Sequence, residues 1–296
     1  MQKQRVFTGS AVAIITPFKD NLPDHESLGR IIDWQIENKT DAIVIAGTTG
    51  EGSTLSDEEH KAVMKYCVEK TAGRVPVIAG TGSNDTDYAI QLSKYACEIG
   101  CDALLLVTPY YNKATPKGLI QSFSAIEDAT DKPIILYNVP SRTGCNIPLS
   151  VYKELAKHDR IVATKEASGN ISAIAEIAAE CGDSLDIYSG NDDQIVPILS
   201  LGGIGVISVL SNVMPRETHD IVELFLTGRT KESAVMQLKL LDLINALFCE
   251  VNPIPVKTAM AELGWCEDEL RLPLCGMEPE HKERLLAAMR KHGLVK

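Results

Sequence analysis

The strongest constraint on the fold is a rhythm. Eight β-rich apolar runs recur at residues 10–18, 42–47, 75–82, 103–109, 133–139, 161–167, 185–191 and 204–209, with helix-like segments between them. The first six begin about thirty residues apart, the length of one βαβ unit. The last two units are shorter, so the seventh helix must be brief. Strict alternation over this many units predicts an α/β fold, a (βα)8 TIM barrel rather than an open doubly wound sheet. No G-x-G-x-x-G opens a helix after the first strand, which weakens a dinucleotide-binding alternative.

The intervening segments carry helix signals. Ser56 and Glu59 form a capping box, followed by Val63, Tyr66 and Cys67 on one face. Leu28, Ile31, Ile32 and Ile36 make the stripe of the first helix, and Gly100 stands where a left-handed residue closes the third. Beyond a last barrel helix at 216–227 the pattern changes. Residues 230–250, 253–264 and 278–293 read as three helices with no strands between them. The expected organisation is a catalytic barrel over 1–228 and a C-terminal helical domain over 229–296, with the boundary near Gly228.

Composition narrows the function classes. An apolar content of 45% is enough for a full core, and 296 residues suit one barrel. A net charge of −11 argues against nucleic acid or a membrane surface as partner, although a local arginine can still admit an anionic substrate. The N-terminal MQKQRVFTGS lacks the apolar region of a signal peptide, and no run reaches transmembrane length, so a cytoplasmic protein is expected. The eight cysteines are scattered, with no C-x-x-C pair and no histidine at ligand spacing. Reduced thiols and no metal site are expected.

Barrel chemistry sits at the C-terminal ends of the strands, so each run is read at its exit. The sixth run, IVATKEA, carries a lysine. At strand period Ile161, Ala163, Lys165 and Ala167 share one face, and Val162, Thr164 and Glu166 the other, towards the helix layer. A buried Lys165 must pair its charge or become a free amine, which is a nucleophile towards carbonyl carbon. Snorkelling from the strand end, or pairing with a carboxylate, is the structural alternative.

Tyr137, at the exit of the fifth strand, should lie about 4.8 Å from Lys165 on the adjacent strand. It could pass a proton to a carbinolamine there, or simply fill the barrel. Arg142 follows with a fork suited to a carboxylate. The second strand exits at Gly47-Thr48-Thr49-Gly50-Glu51-Gly52, either a plain turn or a cradle for a small carboxylate. Tyr110 and Tyr111, at the fourth exit, suit an interface or the site. The seventh exit, Ser189 to Asp192, is a turn of small residues. The glycines at 202–205 precede the eighth strand, at the wrong end of the barrel for a phosphate cradle.

With these residues assembled, the chain resembles the pyruvate-dependent class I aldolase family that holds dihydrodipicolinate synthases and N-acetylneuraminate lyase. The resemblance runs through FTGSAVAIITPF, GTTGEGSTL, PVIAGTGSND, VTPYYN, LYNVPSRTG, TKEASGN, YSGND, GVISV, NPIPVK and RLPL, nearly the whole chain. It implies that Lys165 forms an imine with pyruvate, without a cofactor. Tyr137, Thr48 and Tyr111 would relay protons, the last from a neighbouring subunit. Thr49 and the backbone of Ile207 match pyruvate-binding positions, and Arg142 the residue that meets the second substrate's carboxylate. The implied reaction condenses pyruvate with L-aspartate 4-semialdehyde, in the diaminopimelate route to lysine, in a homotetramer of two tight dimers.

Sugar-acid lyases of the family lack the Thr-Thr pair or the Ser-Arg after Tyr-Asn-Val-Pro, both present here. A non-catalytic barrel would have lost relay residues that this chain retains. The resemblance also implies an effector site for lysine at Ser53, His60, Asn84 and Tyr110. Asp57 and Tyr88 depart from that site's sensitive pattern, which has histidine and glutamate there, so weak or absent feedback inhibition is expected.

Overall fold

A computed structural model describes residues 3–296. Met1 and Gln2, the start of the run read above for a leader, lie outside the described residues. Eight strands form the ring: β1 (Gly9–Ala13), β2 (Ala42–Ile45), β3 (Val77–Gly80), β4 (Ala103–Val107), β5 (Ile134–Asn138), β6 (Ile161–Glu166), β7 (Asp186–Ser189) and β8 (Gly205–Ser208). They follow chain order around a closed barrel, all pairs parallel, with β8 returning to β1. The expected TIM barrel is the fold.

Between the strands lie α1 (His25–Glu37), α2 (Asp57–Thr71), α3 (Thr86–Glu98), α4 (Pro116–Asp128), α5 (Leu149–Leu155), α6 (Ile171–Cys181) and α7 (Ile195–Ser200), with α8 (Pro215–Leu226) after β8. The seventh helix is brief, as the short spacing required. Local signals act where the sequence places them. The Ser56 Oγ accepts from the Glu59 N–H, and Glu59 Oε2 accepts from the Ser56 N–H. Gly100 has φ +88° beyond α3. Leu28, Ile31 and Ile32 of α1 are fully buried.

The apolar residues divide into two layers. One, including Val12, Ile43, Leu104 and Leu136, fills the space between strands and helices. The other lies inside the ring and includes Ala11, Val44, Ile78, Leu105, Ile135, Ala163 and Ile207, so the interior is a packed core rather than a pore. At the N-terminal end Phe7 stacks on Tyr188 at 4.3 Å, and the Tyr188 hydroxyl donates to the Phe7 carbonyl at 2.7 Å. Arg5 forks onto Asp186 with both bonds at 3.0 Å. This end is plugged, which leaves the C-terminal mouth for chemistry.

Two expectations need correction. Simple alternation along IVATKEA fails at its start: Ile161 belongs to the helix-facing layer, and Val162 to the interior with Ala163. Ile134 pairs with Ile161 but Ile135 with Ala163, so an extra residue bulges out and flips the face. Alternation holds from Ala163, with Lys165 two residues on. The helix expected over 230–250 is two, α9 (Thr230–Lys239) and α10 (Leu241–Leu247). The buried Leu240 N–H bonds both Met236 and Gln237 carbonyls, tightening that turn. Gln237 meanwhile ties α9 to the barrel through the Asp193 carbonyl and the Val196 N–H. Hydrophobic period does not reveal a one-residue break of this kind. Two helices complete the tail, α11 (Ile254–Glu262) and α12 (Pro279–Lys291), and α12 packs on α10 and α11.

At the closed end, α8 is tied to the strands by His219. Its Nδ1 lies 2.8 Å from Asp41 Oδ2, and its Nε2 lies 3.3 Å from Glu223. Asp41 holds the His219 pKa above the ordinary value, first by its hydrogen bond, against desolvation and Lys39. A raised folded-state pKa stabilises fully below the unfolded value of about 6.5, and the effect is lost as pH rises through the folded value. His219→Gln should therefore lose more stability against wild type near pH ~5.5 than near pH ~9 in urea unfolding. An equal loss at both would show that the imidazolium charge is not what Asp41 holds.

Candidate active site

Lys165 stands on β6 between Tyr137 of β5 and Tyr188 of β7, its register partners. It is 6% exposed, and its Nζ lies 4.3 Å from the centre of the Tyr137 ring. Burial pushes the ammonium down to about 7, and the Arg142 charge adds to that. Asp192 opposes both through space, without a hydrogen bond. The free amine is therefore far more accessible near neutrality than that of an ordinary lysine, and it is the nucleophilic form. The Tyr137 phenol is pushed up by burial, with Arg142 and Thr48 pulling the other way, so it stays protonated and able to donate.

The outward side of the same strand is different. Glu166 is buried under α5, where it accepts from the Tyr152 hydroxyl, from Ser168 at 2.9 Å and from Asn138 at 3.1 Å. It faces the helix layer, as alternation from Ala163 requires, and takes no part in the mouth.

The turn after β2 is unusual backbone. Ala46 and Glu51 both have left-handed φ, +54° and +53°, which non-glycine residues rarely adopt. A Cβ added at Gly52 would meet the Ala46 carbonyl oxygen at 2.3 Å, so glycine is required there. Thr49 is buried, and its Oγ1 accepts from Asn252 Nδ2 at 3.0 Å. The Asn252 carbonyl in turn accepts from Arg142 at 3.0 Å. Glu51 forms a buried ion pair with Lys257 of α11 at 2.6 Å.

A cleft of about 570 Å³ opens at the mouth, lined among others by Thr48, Tyr137, Arg142, Ser53, His60 and Tyr110, while Lys165, Thr49 and Ile207 lie outside its lining. Ile207 lies inside the ring on β8, level with Ala11 of β1. Tyr111 is not gathered in. It projects from the loop after β4, 91% exposed, with φ +70°. Asn84 also lies off the cleft lining, its carbonyl accepting from Asn112 at 2.9 Å. Burial holds the His60 imidazole below its usual pKa, and its Nε2 lies 3.0 Å from the Gly80 carbonyl.

Three groups escaped sequence reasoning. Asp192 is buried, with Oδ2 accepting from the Val209 and Leu210 N–H groups and Oδ1 unpartnered. Its signal was only a turn of small residues. Asn252 and Lys257 belong to the tail, far in sequence from the strand exits. The apolar neighbours of Lys257 in IPVKTAM could have marked it as a second buried lysine.

Comparison with known proteins agrees with this architecture. The model of the dihydrodipicolinate synthetase family matches residues 6–292. A 4-hydroxy-tetrahydrodipicolinate synthase of Caldicellulosiruptor saccharolyticus is 58% identical over 290 residues, which are 98% of each chain. The crystal structure of dihydrodipicolinate synthase from Aquifex aeolicus superposes with a TM-score of 0.96 at 45% identity, covering 97% of this chain and 99% of that one. The chloride-inhibited synthase of Acinetobacter baumannii, complexed with pyruvate, gives a TM-score of 0.95 at 41% identity, with the same coverage. With a closed barrel, a buried Lys165 amine beside Tyr137 and relatives matched over nearly the whole chain, this chain belongs to the dihydrodipicolinate synthetase family.

Proposed function

We propose that this protein condenses pyruvate with L-aspartate 4-semialdehyde to give 4-hydroxy-tetrahydrodipicolinate, a step of diaminopimelate and lysine biosynthesis. The observation that carries this reading is the buried, unpaired Lys165 amine beside Tyr137, in a chain 58% identical to a synthase of that name. The free amine adds to the pyruvate keto carbon, and the carbinolamine loses water to an iminium. The iminium withdraws electrons, so the methyl group gives up a proton and the resulting enamine attacks the aldehyde. The semialdehyde's amino group then displaces Lys165 from the keto carbon and closes the ring, so one water leaves overall. Protons move through Tyr137, Thr48 and Tyr111, neutral hydroxyls able to donate and accept. Thr49 and the Ile207 backbone hold the pyruvate carboxylate, and Arg142 the carboxylate of the semialdehyde.

Tyr111, 91% exposed, is read as serving the site of a neighbouring subunit in a homotetramer of two tight dimers. A cytoplasmic location suits the eight free thiols and the lack, among the described residues, of any helix long and apolar enough to cross a membrane. Ser53, His60, Asn84 and Tyr110 are read as the remnant of a lysine-effector site. Asp57 there already pairs with Lys61 at 2.7 Å and accepts from Tyr88 at 3.3 Å. With tyrosine in place of glutamate, a bound lysine lacks a charge-assisted bond worth about 1.5–3 kcal/mol.

Borohydride reduction with pyruvate should add the pyruvate-derived mass to Lys165 and leave Lys165→Ala unlabelled. Labelling of another residue, or of none, would refute the imine. The initial trapping rate should rise with pH through a midpoint near 7 and then level off, because the attacking species is the neutral amine. A midpoint at the ordinary lysine value of about 10.4 would mean that burial does not tune the nucleophile. Titration with lysine should inhibit condensation weakly or not at all, and an inhibition constant below about 1 mM would overturn that expectation.

A further inference from the structure

The turn that carries Thr48 and Thr49 closes two backbone bonds of its own, from the Glu51 N–H to the Thr48 carbonyl at 3.1 Å and from the Gly52 N–H to the Gly47 carbonyl at 3.2 Å, and is held by side chains from elsewhere besides. Left-handed Ala46 and Glu51 bracket the two threonines, and strained backbone of this kind persists only where surrounding contacts over-determine it. One comes from the loop after β1, where the Thr16 hydroxyl donates to the Gly50 carbonyl at 2.7 Å, and others come from the tail. Glu51 accepts from the Lys257 ammonium at 2.6 Å and from the Arg271 N–H at 3.1 Å. Lys257 is fully buried, with its Nζ 4.0 Å from the centre of the Phe18 ring. Five residues before it, Asn252 grips the Thr49 hydroxyl and the Arg142 guanidinium. One short stretch of tail therefore touches three parts of the mouth. Stability alone accounts poorly for the pair, because a buried ion pair contributes little over an apolar pair of similar volume.

We infer that Glu51 and Lys257 are positioning residues for the condensation: their buried pair holds the Gly47–Gly52 turn in the shape that sets Thr48 and Thr49 at the mouth. Neither touches substrate. The inference rests on the roles proposed above for the two threonines. It also assigns the tail a part in catalysis, since removing the pair would leave Lys165 in place but loosen the turn that serves it.

The test uses the full-length enzyme with Glu51→Gln, Lys257→Met and the double variant Glu51→Leu with Lys257→Met. Three readouts are taken: melting temperature, kcat and KM for pyruvate, and borohydride trapping at Lys165. The double variant removes both charges together, so it should melt within about 5 °C of wild type. It should still trap pyruvate at Lys165 yet condense ~10- to 100-fold more slowly, with kcat falling more than KM rises. Recovery of both stability and kcat in the double variant would make the pair a structural staple and overturn the inference. So would a kcat that falls only in proportion to the fraction unfolded. If the double variant does not fold, Glu51→Gln, which keeps size and an acceptor for Arg271, carries the same comparison. Failure of wild type to trap pyruvate would instead refute the proposed reaction, so the two failures are distinguishable.

Discussion

Burial acts on two lysines here with opposite outcomes, and the difference organises the molecule. Desolvation disfavours the ammonium in both. Lys257 meets it with a carboxylate at 2.6 Å and an aromatic face, and becomes part of the scaffold. Lys165 has no such partner: Asp192 acts on it only through space and Arg142 opposes, so its proton is loosely held near neutrality. A paired lysine at the barrel mouth would be inert towards a carbonyl, and an unpaired lysine under the tail would be a defect. The fold keeps each where its state is useful.

That arrangement depends on a barrel with two unlike ends. Phe7, Tyr188 and the Arg5–Asp186 fork close the N-terminal end, where His219 also ties α8 to Asp41. The C-terminal end is left to loops, some of which carry left-handed non-glycine residues, and the helical tail braces the one after β2. The tail is distant from the strand exits in sequence and adjacent to them in space, which is how Asn252 meets Thr49 and Arg142.

Much of this was legible in the residues. The spacing of the apolar runs led to the barrel, the Ser56–Glu59 signature to the start of α2, and Gly100 to the end of α3. The register of Tyr137 against Lys165 followed from adjacent strands with one crossover between them. Less legible was anything that needed an extra residue or a remote partner. The bulge at Val162 places two successive residues inside the ring and so reverses the faces expected for Ile161 and Val162, which a period-two reading has no means to see. The break at Leu240 is a tightened turn inside an otherwise helical pattern. Asp192 looked like part of a plain turn because its burial, with one oxygen on two backbone N–H groups, comes from the neighbouring β8 loop.

Sequence alone determined the chemistry that was possible: an amine in an apolar strand, hydroxyls and a guanidinium at strand exits, and no motif that calls for a metal or nucleotide. These are local properties, written in residue type and period. Tertiary structure decided which lysine is left without a carboxylate partner, because that turns on whether a carboxylate some two hundred residues away in the chain arrives within bonding distance or stays apart. Glu51 reaches Lys257, and no carboxylate reaches Lys165 in the same way.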